Sequence, residues 1–270
     1  MTLSFFEVMV QQLSPTAIDD ELLYPDRDGK PLADNTTQLR LIFTIKGGLD
    51  ALFKDREDVF VAADLLWYPV QLTQAEIQAD KKPKKQAPDV MVVFGRPKGD
   101  RGSYMQWKED NIAPQVAFEI LSPGNKKSEM DAKFKFYQEH GIEEYYLYNP
   151  KKNQLQGWLR KGKKLVKISQ MENWTSPRLG IRFTTGEGEL VLFHPDGERF
   201  VDFVEVVEQR DRALETADRE RLEKELEKQR ADRQQERAER EQKQREQAES
   251  ELQQLKAKLQ KLNIDLDSLS

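Results

Sequence analysis

Asp89, Glu119 and Lys133 are the residues whose types and spacing could do chemistry. Asp89 follows Pro88 and opens the short apolar run Val90-Met91-Val92-Val93-Phe94. Glu119 lies inside a second β-prone run, Val116-Ala117-Phe118-Glu119-Ile120-Leu121. A carboxylate buried unpaired in such a strand costs several kcal/mol, so it calls for a partner such as a cation. Two converging carboxylates and a lysine suit magnesium-dependent cleavage of a phosphodiester, and the arrangement points to DNA.

The elements that must position these groups follow from pattern. Alternation puts Ala117, Glu119 and Leu121 on one strand face. The turn Ser122-Pro123-Gly124-Asn125 then leads into a helix over 126–140, stopped by Gly141. At about 100° per residue, Tyr137, Met130 and Phe136 fall within roughly 60° of Lys133. Lys133 thus sits mid-way across the apolar face, whereas Lys135 faces solvent. A lone lysine there ordinarily packs its stem and snorkels its ammonium to the rim. Because this helix directly follows the strand of Glu119, its inner face can return over that acid. Asp89 alone would read as a turn cap, and a structural Glu119–Lys133 salt bridge is the bland account of the trio. Asp64, in Val61-Ala62-Ala63-Asp64-Leu65, is an auxiliary acid.

Upstream, Asp34-Asn35-Thr36-Thr37 offers helix caps before Leu39, Leu41, Ile42, Ile45, Leu49, Leu52 and Phe53, with Gly47-Gly48 interrupting the pattern. Residues 58–68 read as one strand, 71–87 as a polar loop, and 144–148 as a strand closed by Asn149-Pro150. Stretches 154–160, 164–169, 181–185 and 190–193 look like an antiparallel meander. The order predicts one α/β domain with a mixed sheet.

Composition narrows the chemistry. The chain of 270 residues has no cysteine and only His140 and His194, which excludes disulfides, thiolate catalysis and histidine-rich metal sites. Residues 1–7 lack the basic start and apolar stretch of a signal peptide, and no run approaches the roughly 20 apolar residues of a membrane span. The expectation is a soluble, cytoplasmic protein with no membrane partner. A net charge of −5 gives no general help in holding phosphates, so nucleic-acid contacts must come from local clusters or metal. Lys81, Lys82, Lys84 and Lys85 precede the Asp89 strand, and Lys126 and Lys127 begin the Lys133 helix. They are candidate sequence-independent DNA contacts, although a solvated loop and helix surface explain any single one as well.

Charge is concentrated at the end: 15 basic and 18 acidic residues lie among the last 66, from Glu205 to Ser270. From Phe203 to Leu262 no glycine or proline interrupts a helical pattern. Leu252, Leu255, Leu259 and Leu262 follow coiled-coil spacing, while the register upstream buries almost nothing. A solvated rod is one reading; a homodimer or another helical partner engaging 203–262 is the other.

The order Pro88-Asp89, then Glu119-Ile120-Leu121, resembles the PD-(D/E)XK nuclease superfamily. More closely, Phe118 to Asn125 with Lys133, Tyr137, Gly141 and Glu144-Tyr145-Tyr146 resembles the Uma-type family of restriction endonuclease-like proteins. The resemblance covers roughly 34–202. It implies an α/β, PD-(D/E)XK nuclease-like mixed β-sheet flanked by helices, here carrying a long C-terminal helix or coiled coil. It further implies that Asp89 and Glu119 bind Mg2+, with Mn2+ as a substitute, and that Lys133 positions the attacking water. One departure stands out: Leu121 occupies the usual lysine position two after Glu119, the lysine having moved to the helix, as in Uma-type proteins. Many relatives also carry a histidine near the start of the first long helix, where this chain has Thr37-Gln38, so that helix is expected to play no catalytic part. The expected domains are an irregular segment 1–33, a nuclease-like domain 34–202 and a helical tail 203–270. The expected function is endonucleolytic DNA hydrolysis. A nuclease fold kept as a non-catalytic scaffold, acting through its coiled coil, is the rival.

Overall fold

A computed structural model of the chain describes residues 20–186 and 188–261. Residues 1–19 of the expected N-terminal segment and Leu262 of the leucine series lie outside the described residues. The chain divides into two compact units, Met1–Phe203 and Val204–Ser270.

The first unit opens on α1 (Asp20–Leu23) and α2 (Thr36–Leu52). Asn35 caps α2, its side chain accepting the Gln38 amide at 3.0 Å. Next come β1 (Val59–Ala62), β2 (Trp67–Tyr68), α3 (Gln74–Gln78), β3 (Val90–Phe94), β4 (Tyr104–Met105) and β5 (Val116–Ile120). Then follow α4 (Lys127–His140), β6 (Glu144–Asn149), β7 (Gln154–Lys161), β8 (Lys164–Lys167), β9 (Arg182–Thr184) and β10 (Val191–Phe193). Six strands form the main sheet in the order β1-β3-β5-β6-β7-β8. The β5–β6 pair is parallel and the other neighbours are antiparallel, so the sheet is mixed. A parallel pair needs a crossover, and α4 supplies it.

The pleat sorts the core onto two faces. Val90, Val92, Val116, Phe118 and Ile120 pack with Leu41, Ile42, Ile45 and Leu49 of α2. Met91, Val93, Ala117 and Tyr145 pack with Phe136 and Tyr137 of α4. Each helix therefore covers one face of the sheet, and α4 lies on the face that Ala117 shares with Glu119.

Three stretches differ from the sequence pattern. The run 58–68 is not one strand: Asp64 takes a left-handed φ of 48° and ends the extended path after β1. Strand β2 then leaves the main sheet and pairs in parallel with β4. Likewise β9 and β10 form their own two-stranded sheet instead of continuing a meander. The polar loop 71–87 contains α3, started by a Thr73–Glu76 capping box.

The two glycines of α2 have opposite roles. A Cβ on Gly48 would stand 2.0 Å from the Phe200 ring, whereas one on Gly47 meets nothing within 4 Å. Gly48→Ala should therefore destabilise by about 2 kcal/mol through overpacking, and Gly47→Ala should stabilise by about 1 kcal/mol through helix propensity. Urea denaturation of the two variants checks the opposite signs.

The second unit is α5 (Phe203–Lys261), 59 residues long. At about 1.5 Å rise per residue it extends roughly 90 Å. Leu214, Leu222, Leu226, Leu252 and Leu255 are exposed on it. Same-helix pairs four residues apart support it, among them Arg212–Glu208, Gln235–Glu239 and Gln242–Glu246. No described helix is long and apolar enough to cross a membrane.

Candidate active site

The register of the sheet brings the acids together. Val90 stands opposite Phe118 and Met91 opposite Ala117. Extended by one residue, that register sets Asp89 across from Glu119, and directly opposed side chains on one face have Cβ atoms about 5 Å apart. The β1–β3 register, with Ala62 opposite Met91, brings the end of β1 alongside Asp89. The left-handed turn at Asp64 is held by its amide donating to the Pro88 carbonyl at 3.1 Å. A row of two carboxylates, Asp89 and Glu119, thus crosses neighbouring strand ends, with Asp64 on the turn beside it.

Each is held differently. Asp89 is nearly buried, its Oδ2 accepting the Ile120 amide at 2.6 Å and the Gln38 side-chain amide at 3.4 Å. Among the described residues its Oδ1 takes no hydrogen bond. Glu119 is 3 % exposed. Its Oε2 receives the Lys133 ammonium at 2.7 Å and its Oε1 the Tyr137 hydroxyl. Lys133 reaches across from α4, as the short turn after β5 requires. The turn itself is tied down: the Ser122 amide donates to Asn125 Oδ1 at 2.8 Å and the Ser122 hydroxyl donates to Asp34.

Burial and mutual repulsion shift the titrations. Burial pushes the Glu119 carboxyl up to about 7, with Lys133 opposing and the Asp89 charge adding. Burial also raises Asp89, against the pull of Lys133 and the Ile120 amide. Asp64, on the exposed turn, is pushed to about 6 by burial and then by Asp28. For Lys133, burial works downward, but Glu119 and Asp89 outweigh it and raise the ammonium above its ordinary value. It therefore stays charged at neutral pH.

A cavity of about 320 Å³ opens beside the row, lined by Gln38, Asp64, Asp89, Gly124, Asn125 and Lys133, while Glu119 stays behind its wall in contact with Lys133. Asp28, Lys30, Asp34 and Glu129 are also in its wall. Carboxylates outnumber ammonium groups there by five to two. The all-oxygen donors and this excess negative charge fit a hard divalent cation. Among the described residues, however, no three acidic or histidine side chains already converge as a complete cage. A cation here would draw on Asp89 Oδ1, on Glu119 in exchange for its Lys133 contact, and on water.

The candidate DNA-contacting lysines do not line this cavity. Lys81 pairs with Glu76, Lys82 with Asp80, Lys84 with Glu139 and Lys127 with Asp131. Lys85 lies 5.9 Å from the centre of the Tyr68 ring, and Lys126 precedes the first turn of α4. Lys30, which the sequence did not single out, is the second cation of the wall and sits 3.7 Å from Glu129. Gln38 is the other residue that was missed. Its signal was a polar residue at the start of the apolar face that carries Leu41, Ile42 and Ile45.

A family model described as "Putative restriction endonuclease", Uma2, matches residues 33–186, more than half of the chain. The chain belongs to the Uma2 family. The matched Uma2 region contains every strand of the row, the helix of Lys133 and most of the cavity wall, with Asp28 and Lys30 just before it. Among solved structures, one described as a "putative nuclease belonging to DUF820" from Anabaena variabilis is similar at 12 % identity and a TM-score of 0.44. The similarity covers 59 % of this chain and 83 % of that one. No curated protein shows significant similarity to the chain.

Proposed function

We propose that this Uma2 protein is a divalent-metal-dependent endonuclease that hydrolyses DNA phosphodiester bonds, with Asp89, Glu119 and Lys133 as catalytic residues. The observation that carries this reading is the largely buried Glu119–Lys133 contact at 2.7 Å, with Lys133 and Asp89 both lining one cavity. A structural salt bridge needs no open cavity and no third carboxylate. Asp89 and Glu119 would hold the metal, Mg2+ by preference and Mn2+ in substitution, with Asp64 in support. When bound, such an ion neutralises phosphate charge and makes bound water more acidic. Lys133 contributes as a donor and not as a base, because its neighbours keep it protonated. Its ammonium orients the attacking water and stabilises charge growing on the phosphate oxygens. Tyr137 donates to Glu119 Oε1 and keeps that carboxylate from turning toward the core. Lys30 meets the phosphate backbone at the wall, and the lysines at 81–85, 126 and 127 add contacts without sequence preference. The nuclease domain in this reading is 34–202, with 203–270 as a separate helical extension.

Supercoiled plasmid incubated with purified protein tests the activity. Wild type should nick it with Mg2+ or Mn2+ and not with excess EDTA, while Lys133→Ala and Glu119→Ala should not. Equal nicking by all three proteins would assign the activity to a contaminant.

The exposed leucines of α5 favour one addition, self-association of the tail through 203–262. Light scattering should give a dimer for the full chain and a monomer after Leu252→Lys with Leu255→Lys. A monomer in both cases contradicts it.

A further inference from the structure

Gln38 is 7 % exposed on a helix face that otherwise packs leucine and isoleucine against the sheet. Burying an amide there is tolerable only if its polar atoms are paired. They are. Gln38 Oε1 accepts the Asp34 amide at 2.9 Å, and its Nε2 donates to the Ile120 carbonyl at 3.1 Å and to Asp89 Oδ2 at 3.4 Å. The Asp34 amide fixes the orientation, since only an acceptor can face a backbone N–H. The NH2 group must then face Asp89 and the carbonyl next to Glu119.

This bears on which oxygen Asp89 offers. The terminal torsion of an aspartate is broad and roughly two-fold, so packing alone selects neither oxygen. Here Oδ2 is held by the Ile120 amide and by Gln38, which leaves Oδ1 as the oxygen that Asp89, a residue of the cavity wall, has to offer. Gln38 does this without adding negative charge to a cavity already rich in carboxylates. The start of α2 is anchored a second time, by the Ser122 hydroxyl on Asp34, at the turn that leads to Lys133.

We propose that Gln38 is a positioning residue, which acts through Asp89 by holding Oδ2 and presenting Oδ1 to a divalent cation. The proposal rests on the metal-dependent reading given above. Partners of this kind, one step removed from a metal, commonly change its affinity about 10- to 100-fold when lost.

Calorimetric titration of the full chain with Mn2+ tests it, using wild type, Gln38→Met, Gln38→Ala and Gly48→Ala. Methionine keeps the volume of Gln38, and alanine leaves room for water to satisfy Asp34 and Ile120, so either variant that folds decides. Gly48→Ala crowds Phe200 away from the cavity and controls for lost stability. The expected result is Mn2+ affinity weakened about tenfold or more in the Gln38 variant and unchanged in Gly48→Ala. DNA nicking by the Gln38 variant should recover as Mn2+ is raised, with its half-maximal Mn2+ concentration shifted as the affinity is and that of Gly48→Ala unshifted. Wild-type affinity in the Gln38 variant overturns the proposal. Wild type that binds Mn2+ but cuts no DNA defeats the nuclease reading, while the affinity ratio still decides the role of Gln38. Absence of Mn2+ binding by wild type overturns both.

Discussion

Glu119→Ala should abolish cleavage, by on the order of a thousandfold or more, and should also destabilise the fold by about 3–5 kcal/mol. The second effect follows from what is left behind: the Lys133 ammonium, at 14 % exposure, and the Tyr137 hydroxyl would both lose their acceptor. Glu119→Gln separates the two losses, because it keeps the shape and an oxygen acceptor. It should be as inactive as Glu119→Ala but considerably more stable. It should also remove a pH dependence. Burial raises the Glu119 carboxyl from 4.5 to about 7, so the folded state binds the proton more tightly than the unfolded chain. The associated stability is present below about 4.5 and is lost as pH rises through about 7. Urea midpoints measured in EDTA between those limits should fall more steeply for wild type than for Glu119→Gln. Parallel curves would show that Glu119 ionises normally.

Lys133→Met should lower the cleavage rate by on the order of a thousandfold while leaving metal binding intact or tighter. The ammonium now occupies Glu119 Oε2, so it competes with a cation for that oxygen. Removing it frees the carboxylate for metal and deletes the donor that orients water. A variant that binds Mn2+ at least as well as wild type, yet does not nick plasmid, has that signature. Loss of Mn2+ binding in parallel with activity would instead make Lys133 a structural prop of the carboxylates.

The site was legible where it is local. Alternation along 116–121 placed Glu119 on the face of Ala117, and a helical wheel placed Lys133 with Phe136 and Tyr137. Chain continuity did the rest, since the turn between them spans four residues, Ser122 to Asn125. Long-range partners were not legible. Gln38 reaches Asp89 across 51 positions and Ile120 across 82, and no periodicity within α2 announces where a polar side chain will find its acceptor. The break of the 58–68 run depended on one backbone angle at Asp64, which aspartate tolerates but does not dictate. Strands β9 and β10 have strand-like composition, yet their separation from the main sheet is decided by tertiary pairing. The uninterrupted helix of the tail was legible because glycine and proline are missing from it.

Anomalous diffraction from crystals soaked in Mn2+ tests the central claim most directly, that Asp89 and Glu119 share a cation beside Lys133. The expected result is a peak about 2.1 Å from an oxygen of each carboxylate, with the Lys133 ammonium withdrawn from Glu119. Bound Mn2+ elsewhere, with the Glu119–Lys133 contact unchanged, would contradict it.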